Sequence, residues 1–293
     1  MTDQQPPAGK GQPPSAHGPR AHEFALERSD FDELRRLLYD HAGIQLADYK
    51  MDMVYSRLAR RLRDRKLGSF KAYVALLRVD ADEFVQFINA MTTNLTAFFR
   101  EKHHFDYLQQ HTIPQFHARG RHQIRAWSAG CSFGAEPYTL AMTLRSHPRI
   151  DTRQWDIRIT ASDIDTRVLK SAEDGVYDEM QVLDLPADLR QRWFWRGKGG
   201  QSGKVKVKDE LRHLIDFRAI NLIKHWDLGA TMHFIFCRNV MIYFDNATQE
   251  RLLNHMADSL EDGGLLFVGH SEAPGRLTDR FELIGKTIYR KRY

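Results

Sequence analysis

Hydrophobic positions in the first third of the chain recur at helical spacing. Phe31, Leu34, Leu37 and Leu38 form one stripe, Met51, Val54, Tyr55, Leu58 and Leu62 a second, and Phe84, Phe87, Ile88 and Met91 a third. These stripes predict a small all-α domain over residues 21–91. From residue 92 the rhythm changes to short apolar runs separated by helical stretches. Ile124, Ala126 and Trp127 read as a strand, Leu140, Ala141 and Leu144 as one face of a helix, and 155–160 as a second strand. Val168 to Ala172 continues a helix, residues 213–220 and 233–237 read as strands, and Asn246 is placed to cap a helix over 248–260. Gly263-Gly264 turns into a strand over 265–270, and 281–289 forms a closing hairpin. Strands alternating with helices predict an open α/β sheet over 92–293. Within it, the alternation Lys204-Val205-Lys206-Val207-Lys208 after the Gly197-Lys198-Gly199 loop predicts a small antiparallel β-subdomain inserted at about 177–211.

The stretch Q-I-R-A-W-S-A-G-C-S-F-G-A-E-P, residues 123–137, is a strand, a glycine turn and the start of a helix. Such a unit lets backbone approach a ligand at the carboxyl end of a strand. It lacks G-x-G-x-x-G and G-x-x-x-x-G-K-[ST], which argues against a dinucleotide cradle and a P-loop. Asp163, at the end of the next strand, is placed to reach ribose hydroxyls, so S-adenosylmethionine fits about as well as NAD. Glu136, Asp163, Asn221 and Asn239 all stand at strand or turn ends on the predicted ligand edge. The run T-T-N-L-T-A-F-F-R-E, residues 92–101, joins the two domains. It reads either as a capped linker or as a loop over the ligand mouth, with Arg100 offering a rigid five-donor fork to a carboxylate.

Charge refines the picture. Residues 50–71 hold eight basic side chains against two acids, a net of +6, while the whole chain of 293 residues carries +5. The basicity is therefore one local patch, centred on Arg57, Arg60, Arg61, Arg63, Arg65 and Lys66. A solvated helix face, an acidic protein and nucleic acid are all consistent with it, although no aromatic residues interleave as stacking platforms. The lysine-rich β-subdomain reads as an edge that accepts a peptide strand or as a hairpin with protective lysines. No apolar run approaches a membrane span of about 18 residues, and no apolar signal core opens the chain, so a cytoplasmic location is expected. Residues 1–20, rich in Pro, Gly, Gln and His, are expected to be disordered. The two cysteines, Cys131 and Cys237, show no metal-ligand spacing; buried thiols and no metal are expected.

Five ordered motifs, T-T-N-L-T-A-F-F-R-E, W-S-A-G-C-S-x-G-x-E-P-Y, A-S-D-I-D-T-x-V-L, F-C-R-N-V-M-I-Y-F and L-F-x-G-H-S-E, together resemble the chemotaxis receptor methyltransferases of the CheR type over residues 22–290. The resemblance implies an α/β fold: a Rossmann-like class I methyltransferase domain with a β-subdomain insert, preceded by the all-α domain. It implies transfer of methyl from S-adenosylmethionine to glutamate side chains of chemoreceptors, leaving S-adenosylhomocysteine. By that resemblance Asn94, Thr96 and Arg100 belong to a loop beside the cofactor, and Glu136 to the glycine-loop motif. Asp163 would hold the ribose, Asn221, Leu222, Arg238 and Asn239 the adenine and methionine parts, and Tyr243 would stand near the reacting methyl. Arg100 and Tyr243 are the expected catalytic pair. The basic helix becomes a docking face for receptor helices, and the β-subdomain a site for a receptor C-terminal peptide, as in some family members. The chain departs from the family's S-T-G-E-E-P-Y at Phe133, which would add bulk beside the ligand, and at Ala135, which removes a charge. A binding module with weakened catalysis and a nucleic-acid methyltransferase are the alternative readings.

Overall fold

The computed structural model describes residues 23–292; the tail expected to be disordered lies outside them. Four helices come first: α1 (Arg28–Ala42), α2 (Met51–Asp64), α3 (Phe70–Leu77) and α4 (Ala81–Met91). Their stripes meet in one core, with Phe31, Leu34, Val54, Leu58, Phe70 and Phe87 buried against one another. Local chemistry sets the ends. Ser69 Oγ accepts the Ala72 amide (3.2 Å) and Asp80 the Glu83 amide (2.8 Å), each satisfying a free N–H of a first turn. α1 stops at Gly43, whose φ of 69° needs no Cβ.

The basic run is not one helix, which corrects the sequence reading. Lys50 ends a 3-10 turn (Asp48–Lys50), α2 stops at Asp64, Arg65 and Lys66 follow it, and Lys71 lies on α3. Much of its charge is satisfied at home. Arg61 grips the buried Glu83 (2.9 Å) together with the Tyr73 hydroxyl, Arg63 pairs with Glu23 (2.8 Å), and Arg65 with Asp80. Arg57 donates to the carbonyls of Met91 (2.7 Å) and Thr92 (2.9 Å).

Helix α5 (His103–Tyr107), a π-turn (Leu108–Thr112) and α6 (Ile113–Ala118) lead to the sheet, which begins with β1 (Gln123–Ala129), α7 (Ala135–Arg145), β2 (Asp156–Asp163) and α8 (Thr166–Asp174). The insert follows: β3 (Val176–Asp178), α9 (Ala187–Trp193), β4 (Phe194–Arg196) and β5 (Lys204–Val207), with sheet order β3-β5-β4. Then come α10 (Asp209–Arg212), β6 (Ile215–Ala219), β7 (Met232–Cys237), α11 (Asn246–Ser259), β8 (Leu260–Val268), β9 (Phe281–Gly285) and β10 (Ile288–Lys291). The main sheet runs β6-β2-β1-β7-β8-β10-β9, parallel through β8 and antiparallel at β10 and β9. Phe234, Phe236 and Phe267 pack on one face and Ile235, Cys237, Leu266 and Val268 on the other, as a sheet covered on both sides requires. No helix among the described residues is long and apolar enough to cross a membrane. Both cysteines are buried and free.

Several boundaries differ from expectation for local reasons. The second strand begins at Asp156, because the Trp155 amide is spent on the Asp151 carbonyl (3.0 Å) and pairing with β1 starts where Gln123 is level with Asp156. The strand expected from 213 begins at Ile215, after the single turn of α10. Asp245, not Asn246, caps α11, its Oδ1 accepting the Thr248 amide at 2.7 Å. Leu260 opens β8 rather than ending the helix. Gly263-Gly264 lies inside that strand, where its register against β7 shifts between Met232 and Phe234.

The parallel strands end together. Ala129 is level with Ser162 and Cys237, Asp163 with Ala219, and Cys237 with Val268. The chain runs outward from β1 to β2 on one side and later returns to β7 on the other. That reversal leaves a crevice at the carboxyl ends of the central strands, the place where open α/β sheets bind ligands.

Candidate functional site

The floor of the crevice is the turn between β1 and α7. Gly130 has φ +79°, and a Cβ on it would come within 2.4 Å of Val240 Cγ2, so the turn requires glycine both for conformation and for room. At Gly134 (φ +87°) a Cβ would lie 2.8 Å from Ala172 Cβ, so the start of α7 passes close against α8. Between them Ser132 also adopts a left-handed conformation (φ 51°) and points its amide at Asp163 (2.8 Å). Asp163 accepts the Asp165 amide with its other oxygen (2.9 Å). Burial pushes the Asp163 carboxyl up, and these amide bonds oppose the shift.

Arg238, one residue past β7, ties the back of the crevice together. Its side chain is 3% exposed; its guanidinium pairs with Glu136 of α7 (2.9 Å), stands 3.4 Å from Glu101 and donates to the Arg100 carbonyl. Glu136 also accepts from Ser128 Oγ (2.7 Å). Two carboxylates around one buried guanidinium form a charge set that holds only if all three remain.

The segment 92–101 forms the lip. Asp165, fully buried, accepts from Thr92 Oγ1 (2.6 Å), Asn94 Nδ2 (2.9 Å) and Arg167 (3.1 Å). Burial raises its carboxyl, yet the bonds from Arg167 and Thr92 outweigh that and the net shift is downward. Ser132 Oγ holds the Asn94 carbonyl (3.0 Å), and Arg100 donates to the Leu95 carbonyl (2.9 Å). Phe99 (φ 52°) and Glu101 (φ 54°) are left-handed non-glycine residues in the same segment. With Ser132 and Asn239 (φ 59°) they place four strained positions around one crevice, a concentration typical of ligand sites.

The side walls come from β6 and β7. Asn221 donates to the His41 carbonyl of α1 (2.5 Å), which joins the helical domain to the sheet, and Leu222 follows it. After Arg238 the chain turns through Asn239 into a 3-10 turn, Met241–Tyr243, and the Tyr243 carbonyl accepts the Gln45 amide (2.9 Å).

All ten residues singled out from sequence, Asn94, Thr96, Arg100, Glu136, Asp163, Asn221, Leu222, Arg238, Asn239 and Tyr243, line this single cleft of about 990 Å³, part of it open to solvent. Asn94 and Asn221 spend their side-chain amides on protein partners, so what they present to the cleft differs from a free amide. Ile164, Ile220, Leu222 and Phe244 add apolar surface to a lining that also holds the acid Asp163 and the charge pair of Glu136 and Arg238. Phe133 does not line the cleft, which corrects the expectation of bulk beside the ligand. Its side chain is 39% exposed, and its carbonyl accepts the Tyr177 hydroxyl (2.7 Å). Ala135 is buried as the first residue of α7. Sequence reasoning missed Glu272 and Asp165 as organisers of the site. Both stand inside quoted motifs, G-H-S-E and A-S-D-I-D, and their acidic character was the available signal.

Comparison with known proteins agrees with this geometry. The family model described as CheR methyltransferase, SAM binding domain, matches residues 94–290, and that described as the CheR methyltransferase all-alpha domain matches residues 29–92. Chemotaxis protein methyltransferase 2 of Pseudomonas aeruginosa is 46% identical over 269 residues, 91% of this chain and 94% of that protein. Chemotaxis protein methyltransferase of Salmonella typhimurium is 45% identical over 270 residues, 91% of each chain. The Escherichia coli protein of the same name is 44% identical over 269 residues, 91% of this chain and 92% of that one. With the cleft, the strand-end acid and both domains accounted for, this chain belongs to the CheR family of S-adenosylmethionine-dependent chemotaxis methyltransferases.

Proposed function

We propose that this protein methylates glutamate side chains on the cytoplasmic helices of chemoreceptors, giving methyl esters, and that it acts in the cytoplasm. The observation that carries the reading is the convergence of all ten candidate residues on one cleft at the carboxyl ends of β1, β2, β6 and β7. The donor set fits S-adenosylmethionine. Asp163 offers a buried acceptor for ribose hydroxyls, and Leu222 with Ile164 and Ile220 an apolar slot for a purine. Glu136, Arg238 and Asn239 offer mixed charge for an amino-acid end. When bound, that cofactor supplies a methyl group activated by an adjacent sulfonium.

The chain's own residues have little chemistry to perform. A glutamate carboxylate, with an unperturbed pKa of about 4.3, is already ionised near neutrality, so no general base is needed. Arg100 and Tyr243, both on the cleft, hold and orient the acceptor, and the lip keeps water out. Arg57, Arg60 and Lys66, which are not bound to buried acids as Arg61 is, attract the acidic receptor surface; Arg63 joins when its exposed partner Glu23 yields, and Arg65, which lies 3.4 Å from buried Glu83, joins when Asp80 yields. The exposed edge strand β4 with Trp195, 61% exposed, is offered to a receptor C-terminal peptide.

The test is transfer of labelled methyl from S-adenosylmethionine to a receptor cytoplasmic fragment in a base-labile form. Arg100→Ala should lower turnover by about a hundredfold while leaving S-adenosylhomocysteine-induced thermal stabilisation detectable. Undiminished turnover in that variant would remove Arg100 from the mechanism, and base-stable label would remove the ester chemistry.

A further inference from the structure

Beside the cleft lies a second hollow, between α1, the 3-10 turn Asp48–Lys50 and the turn Met241–Tyr243, with about 1420 Å³ of empty space open to solvent. Tyr243 lines both hollows, so the groove runs up to the place where the reacting carboxylate would stand. Its surface is unusual for a water-facing region. Tyr49 is 80% exposed, Ile242 49% and Tyr39 38%, and single large apolar side chains seldom gather in this way without a partner.

Charge tells which partner. Three cations, Arg35, Arg36 and Lys50, line the groove against one carboxylate, Asp32. The arginines are tied to acids of their own neighbourhood: Arg35 to Asp48 (2.7 Å) and Arg36 to Glu33 (2.7 Å). Lys50 makes no ion pair among the described residues; its ammonium lies over the Tyr49 ring, 5.1 Å from the centroid. An aromatic and an aliphatic anchor beside an unpaired cation match an amphipathic helix that bears carboxylates next to its apolar stripe.

We propose that this groove seats the acceptor helix itself, with its apolar stripe on Tyr49 and Ile242, one carboxylate on Lys50, and the reacting glutamate passing Tyr243 into the cleft. The basic residues of α2 then act further along the same partner, since α2 begins directly after Lys50 and rises about 1.5 Å per residue. This inference rests on the reading under Proposed function, and it moves the seat of recognition from the α2 face, where Arg61 is spent on buried Glu83 and Arg63 pairs with Glu23, to the groove.

The experiment compares the full-length chain with Tyr49→Ser/Lys50→Glu/Ile242→Ser, with Lys50→Glu alone, and with Arg60→Glu/Lys66→Glu, on α2 and just after it. A receptor cytoplasmic fragment is the methyl acceptor, and S-adenosylhomocysteine affinity is read by calorimetry. The triple groove variant is expected to raise the KM for the fragment about tenfold or more, as loss of a packed anchor does, with S-adenosylhomocysteine affinity and kcat at saturation unchanged. Lys50→Glu alone is expected to give a smaller rise of the same kind. Unchanged KM in both groove variants, with wild-type transfer intact, overturns the groove assignment. A fall in S-adenosylhomocysteine affinity in the triple variant overturns it too, because the groove would then be part of the cofactor site. Absence of transfer by the wild-type chain instead overturns the underlying function.

Discussion

The Glu272 carboxylate holds the backbone that begins at Asn239: it accepts the amides of Asn239 (3.0 Å), Val240 (3.0 Å) and Met241 (2.8 Å), and also that of Gly269 (2.5 Å). Burial pushes this carboxyl up, and the four amide bonds pull against it. The relationship explains how Asn239 can sit at φ 59° beside the cleft without a local reason of its own. It also explains Gly269, where a Cβ would come within 2.5 Å of Asn239 Nδ2.

Replacing that carboxylate should therefore disturb the site from a distance. Glu272→Gln turns an NH2 group toward amides that can only donate, and each lost charged hydrogen bond is worth about 1.5–3 kcal/mol. The melting temperature should fall by roughly 5 °C or more. S-adenosylhomocysteine affinity should fall with it, since Asn239 and Val240 line the cleft. Differential scanning calorimetry and titration calorimetry check both, and a variant with wild-type values would show that the loop holds its shape without Glu272.

The turn at Gly130 gives a sharper steric test. Gly130→Ala places a methyl against Val240 Cγ2 and forces a left-handed alanine, about 1–2 kcal/mol for the conformation alone. Cofactor-site affinity should drop. Adding Val240→Ala should recover the steric part and leave the conformational part. If the double variant binds S-adenosylhomocysteine no better than Gly130→Ala, the close approach of the two loops is not what requires glycine.

Phe133 offers the opposite expectation. Because its side chain faces outward, Phe133→Thr, which restores the residue usual in the motif, should leave S-adenosylhomocysteine affinity within about twofold of wild type, a difference below 0.5 kcal/mol. A large gain would mean that the aromatic ring does reach the ligand.

This outcome marks where sequence was readable and where it was not. Periodicity located the helical domain and the alternating strands because burial on a helix stripe or a sheet face is a property of spacing alone, as with Phe31 and Leu34 or Phe234 and Phe236. Motif order brought the ten candidate residues to one cleft. Direction was not readable: nothing in the letters says that Phe133 turns away, that the Asn94 amide turns to Asp165, or that Arg61 turns inward to Glu83. Those orientations depend on which acids a second element brings near, and such pairings are long-range. The roles of Glu272 and Asp165 escaped for the same reason, since a carboxylate that serves backbone amides looks in sequence like one that serves solvent.

His104 provides the pH test. It is fully buried on α5, its Nε2 2.8 Å from Thr287 Oγ1, packed edge-on against Phe267 (5.4 Å). Burial first, then the positive charge of Arg238, lowers its pKa from 6.5 to about 3. Glu101 stands 3.7 Å from Nδ1 and favours the charged form, but it faces the Arg238 guanidinium at 3.4 Å as well and does not reverse the shift. The folded value is the lower one, so between about 3 and 6.5 the unfolded chain binds the extra proton. Stability is then fully present above pH 6.5 and is lost as the pH falls toward 3, by up to about 1.4 kcal/mol per pH unit for one such group. His104→Phe keeps the aromatic packing and removes the proton site. Its melting temperature, even if lower at pH 7.5 through loss of the Thr287 bond, should decline less steeply than wild type between pH 6.5 and pH 4.5. Parallel declines in the two proteins would show that acid sensitivity in this range comes from other groups.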